Sequence, residues 1–495
     1  MKLATFIFVF DLMKRNIFKR FMKHLYLLIL LLVTLVSCKK DANQNEGEIA
    51  YLGGEIINPS NNYVVLLKGN SVIDTLPLDT KNRFLYKVKE LIPGLYTFSH
   101  GGEIQMVLLE PLDSIMFRLN TMEFDESLVF TGKGARKNNY LINLYLDGEI
   151  EDKQVLGFSH LSPKDFEYKL DSIKEYKLKK LHEFTSRQRT SELFYHLAES
   201  NINYDYYLSK ETYPFINYTK NERENFESLP VDFYSYRDNI DYNDENLVDY
   251  FPYSSFLKHH FENLALTEHF KTSKDSVFSK QSLDYSLIRL QLIDSLMTNE
   301  NIKNSLLISA IIEFISNNKN VDIYNSMLQS YLAKSTNTKH KEYVSNLVGA
   351  LISLKPGNPL PNVKVFDVLN NELDLSSVLK NKPCVIFFWS QATMNHVVES
   401  HRKVAELKEK YPEVLFLGIN ANNDSKDLWK KTLEKYHFET AREYLLKNPK
   451  EAKQTLAIFP ITKVIILNRK GFIENSHANM FSINFEEELL GVINQ

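Results

Sequence analysis

The strongest constraint on this 495-residue chain is the way apolar runs alternate with helical stretches after Pro359. Lys382 to Trp389 is a continuous apolar run, Lys403 to Tyr411 has helical spacing, and Val414 to Asn420 is apolar again. A helical stretch around Asp424 to Tyr436, a strand over Lys463 to Asn468 and a last helix near Phe485 to Ile493 complete the pattern. A strand that is apolar at every position, not at every second one, has both faces covered. Helices must supply that cover, so residues 355–495 are expected to form a layered α/β domain.

The first of these strands, Lys382-Pro383-Cys384-Val385-Ile386-Phe387-Phe388-Trp389, runs into Ser390-Gln391-Ala392-Thr393-Met394-Asn395-His396. It is preceded by Pro359-Leu360-Pro361-Asn362-Val363-Lys364-Val365 and Leu375-Ser376-Ser377-Val378. It is followed by Phe459-Pro460-Ile461-Thr462-Lys463-Val464-Ile465-Ile466-Leu467-Asn468-Arg469-Lys470-Gly471. In order and spacing these segments resemble the TlpA-like thiol-disulfide oxidoreductases. The resemblance implies a thioredoxin-like fold, a cis proline at Pro460 facing the active site, and a Cys-x-x-Cys pair on the first turn of a helix. Here the chain departs from the family. Its pattern Phe-Trp-Ala-x-Trp-Cys-x-x-Cys-x-x-Glu lays Ser390 on the alanine, Thr393 and His396 on the cysteines, and Glu399 on the acid. A second register, with Trp389 directly before the first cysteine, puts Ser390 and Thr393 there. The first is preferred because Glu399 also falls into place, and in both registers the thiols are absent.

A dithiol works because one thiolate, its pKa lowered at a helix N-terminus, attacks a disulfide and a second thiol resolves the mixed species. A threonine hydroxyl has neither the acidity nor the redox couple. Thr393 is expected instead to cap the helix, accepting from a backbone N–H at the second or third helical position. The chain holds two cysteines, Cys38 and Cys384, too few for a disulfide framework. Cys384 lies in an apolar strand, where a thiol is buried and inert. Thr393, His396 and Glu399 sit at i, i+3 and i+6, which suggests nucleophile, base and orienter, yet triads are set by tertiary geometry and seldom lie along one helix. His396, Glu399 and His401 near a helix start are read as solvated side chains, not metal ligands. No catalytic residue, metal or cofactor is assigned.

Lys14, Arg15, Lys19, Arg20 and Lys23 precede an apolar run from Leu25 to Val36 that ends in Leu35-Val36-Ser37-Cys38. A positive region, a short apolar core and a small residue before the cut make a secretion signal, with the core too short for a permanent span. The ending resembles a bacterial lipobox, which implies cleavage after Ser37 and lipid attachment at Cys38. Met22 would begin a compact signal by itself, so Met1 and Met22 are both candidate starts. The expected address is the cell envelope, lipid-anchored to a membrane and facing the periplasm or the cell surface. Residues 1–37 are then the signal and 38–48 a polar tether. Subtracting the +5 of the first 37 residues from the formal total of −3 leaves about −8, which gives no electrostatic reason to bind nucleic acid.

Between tether and α/β domain, residues 49–137 alternate β-rich runs with turn signals such as Asn58-Pro59, Pro93-Gly94 and His100-Gly101-Gly102 at short intervals, predicting an antiparallel β-sandwich. Ile92-Pro93-Gly94-Leu95-Tyr96, Glu110-Pro111-Leu112-Asp113-Ser114-Ile115 and Phe130-Thr131-Gly132-Lys133-Gly134-Ala135 resemble the β-domain that precedes thioredoxin modules in many bacterial lipoproteins. That family usually has glycine where Leu112 stands. Residues 138–354 read as helical, with Ser162-Pro163-x-Asp165 as a helix start. Stripes such as Leu283, Leu287, Leu290, Ile293 and Met297 are read as core, and so are the aromatics Tyr204, Tyr206, Tyr207, Phe251, Tyr253 and Phe256. His259, His260 and His269 lack metal-ligand spacing.

The expected function is a membrane-anchored binding or scaffolding protein that keeps a thioredoxin-like groove without its dithiol. Trp389, Thr393, Phe459 and Pro460 are the expected groove, and the partner an extended peptide or an envelope protein. The alternatives are a thiol-disulfide oxidoreductase of the resembled family and an architectural component of envelope assembly.

Overall fold

The computed structural model describes residues 49–69, 71–216, 222–274, 279–318, 320–379, 381–422 and 425–494. The expected signal, the expected lipid-attachment residue Cys38 and the expected tether lie outside them. Contacts divide the chain into two compact units: residues up to Gly157 with Asp171–Asn203, and Phe158–Leu170 with everything from Tyr204 on.

The first unit opens with β1 (Ala50–Ile57), β2 (Tyr63–Lys68), β3 (Ser71–Pro77), β4 (Arg83–Val88), β5 (Gly94–His100), β6 (Glu103–Leu109), β7 (Ser114–Asn120) and β8 (Val129–Lys133). They form two sheets, ordered β4-β1-β7-β8 and β3-β2-β5-β6. Inward-facing residues of the two sheets meet in one core that includes Leu52, Val64, Phe98, Val107, Ile115 and Phe117. Phe98 and Phe117 stack across the two sheets with ring centroids 4.4 Å apart. The sandwich predicted from the turns is present, but it is not wholly antiparallel: β1 and β7 run parallel. Turn chemistry reports local hairpins, whereas this pair joins strands far apart in sequence.

The helical region holds α1 (Ala135–Gly157), α2 (Pro163–Arg187), α3 (Glu192–Ile216), α4 (Glu222–Glu227), α5 (Phe251–Thr272), α6 (Leu283–Leu296), α7 (Glu300–Asn317), α8 (Tyr324–Lys334) and α9 (Thr338–Ser353). Helix α2 starts where Ser162 and Pro163 predict, with Ser162 Oγ accepting from the Asp165 N–H at 3.3 Å. Half of the six aromatics are core: Tyr204, Tyr253 and Phe256 are buried against one another, whereas Tyr206 and Tyr207 are half-buried and Phe251 is exposed. His260 commits both ring nitrogens within the core, Nδ1 to Glu211 at 2.6 Å and Nε2 to the Tyr242 hydroxyl at 2.8 Å. Glu211 is also paired with Arg237, and that guanidinium together with His260 holds its carboxyl below the usual range despite burial.

The C-terminal α/β domain contains β9 (Lys364–Phe366), β10 (Glu372–Asp374), β11 (Cys384–Trp389), α10 (Met394–Lys410), β12 (Leu415–Asn420), α11 (Lys426–Lys435), β13 (Glu443–Leu446), α12 (Pro449–Thr455), β14 (Lys463–Leu467), β15 (Ile473–Asn479) and α13 (Phe485–Ile493). The sheet order is β10-β9-β13-β12-β11-β14-β15, with β11, β12 and β13 parallel and β14 antiparallel to β11. Every residue of β11, β12 and β14 is buried, the consequence of the unbroken apolar runs. Among the described residues no helix is long and apolar enough to cross a membrane.

Candidate functional site

Strand β11 delivers the motif to one end of the sheet. Antiparallel pairing sets Phe387 opposite Val464, so the chain leaving β11 at Trp389 and the chain entering β14 after Pro460 meet at that end. Lys463 pairs with Asn479, which brings the segment after β15 there too. The Phe459–Pro460 bond is cis, as the resemblance implies.

The helix start is built differently from the expectation. Ser390, not Thr393, does the capping: its Oγ accepts from the Ala392 N–H at 3.2 Å and opens a 3-10 turn over Gln391–Thr393 that feeds α10. Thr393 makes no capping bond and donates its hydroxyl to the Ser390 carbonyl at 3.2 Å. His396 donates from Nε2 to the Phe388 carbonyl at 3.1 Å. Both side chains at the cysteine positions thus act as donors that fasten the helix start to the end of β11. Asn422 bonds to Ser390 Oγ and accepts from Lys453 at 3.0 Å, and Gln391 bonds to Thr432, which fixes the loop from its other flank.

The bonds of Glu399 and His401 run against both the triad and the metal set weighed above. Glu399 points to Arg402, 2.6 Å away on the exposed face of α10, and not to His396. His401 donates from Nδ1 to the Val397 carbonyl at 2.7 Å and turns Nε2 toward Glu443. The residues weighed and set aside as a triad or a metal set therefore face different partners. Cys384 is 1% exposed, and burial pushes its thiol far above the ordinary range, away from the reactive thiolate.

The predicted groove is corrected at one member. Trp389 is fully buried, and its Nε1 donates to Glu443 Oε2 at 2.9 Å, so it is a core residue that no ligand at this end touches. Thr393, Phe459 and Pro460 are exposed. The sequence reading missed Phe481 and Ile483, which follow β15 and stand 44% and 96% exposed at the same end. Phe481 lies 6.2 Å from the His396 ring, centroid to centroid. Large apolar residues outside a regular element were the available signal. Glu443 was also missed; a lone acid beginning the apolar run Tyr444-Leu445-Leu446 could have marked it.

Residues 355–480 match the family model Redoxin. Among solved structures, a thiol-disulfide oxidoreductase of Bacteroides fragilis NCTC 9343 is 17% identical over 27% of this chain and 98% of its own, with a TM-score of 0.23. A thiol:disulfide interchange protein of Chlorobium tepidum TLS is 14% identical over 28% and 97%, TM-score 0.23. A thioredoxin-like protein of Bacteroides caccae ATCC 43185 is 14% identical over 51% and 88%, TM-score 0.33. No curated protein matches the chain. The C-terminal domain is a thioredoxin-like redoxin domain resembling those of thiol-disulfide oxidoreductases. It lacks their Cys-x-x-Cys pair, since Cys384 is the one cysteine in residues 355–495.

Proposed function

We propose that this chain is a lipid-anchored envelope protein whose thioredoxin-like domain binds an extended, apolar polypeptide segment and does not turn over disulfides. One observation carries the reading. The cysteine positions hold Thr393 and His396, both spent on backbone carbonyls, while exposed Phe459, Pro460, Phe481 and Ile483 gather at the same end of the sheet. A site kept for electron transfer would need a thiolate there. A site kept for recognition needs exposed apolar anchors beside a backbone able to pair, and this end supplies the anchors.

A peptide-library screen with the full-length protein tests it. Phe459→Ala with Phe481→Ala should weaken the bound sequences by about tenfold or more, the scale of losing two aromatic anchors. Binding equal to the parent would refute the groove. Anchoring is tested separately: radiolabelled palmitate should enter the parent and not Cys38→Ala, and equal labelling would remove the lipid from the account.

A further inference from the structure

A second place has the make-up of a ligand site, and it lies in the β-sandwich. The outer face of the sheet β4-β1-β7-β8, turned away from the phenylalanine core, holds a shallow cavity of about 760 Å³. Its size is that of ordinary small-molecule sites, which are mostly apolar with a few convergent polar groups. Strand register aligns one row of side chains across this face: Arg83, Glu55, Arg118 and Val129. Met116 and Ile57 flank the row and give the cavity its apolar floor.

The charges in the row are unequal. Glu55 accepts from Arg83 Nε at 3.2 Å and Nη2 at 3.0 Å. Arg118, on its other side, makes no ion pair and no side-chain hydrogen bond among the described residues, and it is exposed. Two guanidiniums and one carboxylate leave a single positive charge facing the cavity. A planar guanidinium matches a carboxylate through two parallel hydrogen bonds.

The floor narrows the choice further. The backbone of β1 pairs with β4 on one side and β7 on the other, and that of β7 pairs with β1 and β8. An extended peptide takes affinity from unpaired main-chain groups and finds its counterparts here already committed. A hydrocarbon chain needs none. We propose that this face binds a long-chain carboxylate, with the Arg118 guanidinium on the carboxylate and the acyl chain along Val129 and Met116. This site is independent of the groove in the thioredoxin-like domain.

The test uses the full-length protein in zwitterionic lipid nanodiscs and palmitate carrying a photoactivated diazirine on its chain. Label should map to Ala50–Ile57 and Ser114–Asn120, unlabelled palmitate should compete, and palmitate methyl ester should not. Arg118→Ala should raise the competing concentration about tenfold, the scale of one charged hydrogen-bonded contact. Val129→Glu, an exposed change that adds a negative charge to the row, should act in the same direction. Label confined to other segments, a methyl ester competing as well as the acid, or an Arg118→Ala protein indistinguishable from the parent would each overturn the proposal.

Discussion

The indole of Trp389 on β11 and the carboxylate of Glu443 on β13 are joined by a buried 2.9 Å hydrogen bond that passes across the intervening strand β12. Gly418 on β12 makes the bond possible, since a Cβ there would collide with Glu443 Oε1. Trp389 immediately precedes the motif, so this bond fixes the strand end from which the helix start is built. His401 completes the setting: its ring stacks on Phe438 at 3.8 Å and turns Nε2 toward Glu443 at 3.4 Å.

Gly418→Ala is expected to destabilise the protein by about 1–3 kcal/mol, the usual cost of overfilling a packed core. In a Glu443→Ala background the collision is gone and the same change should cost clearly less. Denaturant midpoints of the four proteins measure that coupling. Strict additivity would mean that Gly418 is present for another reason.

Leu112 offers an opposite case. It occupies the third position of a turn closed by the Asp113 N–H on the Glu110 carbonyl, with Pro111 second and a φ of +66° at Leu112. That turn favours glycine there, and a leucine in the left-handed region costs roughly 1–2 kcal/mol. The side chain is 54% exposed, so little burial offsets the strain. Leu112→Gly should stabilise by about 0.5–1 kcal/mol after allowing for the greater freedom of glycine in the unfolded chain. A lowered urea midpoint would show that leucine contacts outweigh the backbone.

Lys463 gives a pH signature. It is 4% exposed, its ammonium donates to the Leu456 and Ala457 carbonyls at 2.9 Å each, and burial pushes it down from 10.5 to about 7. Below pH 7 it is charged in both states, and folding must bury that charge. Between about 7 and 10.5 the unfolded chain holds more protons at this site, so its contribution to stability rises with pH and then levels off. Unfolding free energy measured from pH 6.5 to 10 should climb more steeply in the parent than in Lys463→Met. Parallel curves would show the amine to be charged in the fold.

The legible parts of this protein are those written in local pattern. Cys384–Trp389, Leu415–Asn420 and Lys463–Leu467 could be read as buried strands because every side chain in them is buried, and Ser162-Pro163 marked a helix start that is there. The helix start at the motif was misread because Ser390, three residues earlier, inserts a 3-10 turn and takes the capping role from Thr393. Trp389 was placed in the groove because, although Glu443 stands out as an acid at the head of an apolar run, nothing local pairs it with a residue 54 positions away. Pairings between single polar residues on different strands leave no periodicity, and the parallel contact of β1 with β7 leaves none either.

The most direct test is insulin reduction by the full-length protein, run beside Cys384→Ser and the double variant Thr393→Cys with His396→Cys. The parent should match Cys384→Ser at the rate of insulin reduction without added protein. The double variant should gain activity, because it returns two thiols to a helix start where a thiolate is favoured. Turnover by the parent that disappears in Cys384→Ser would contradict the account.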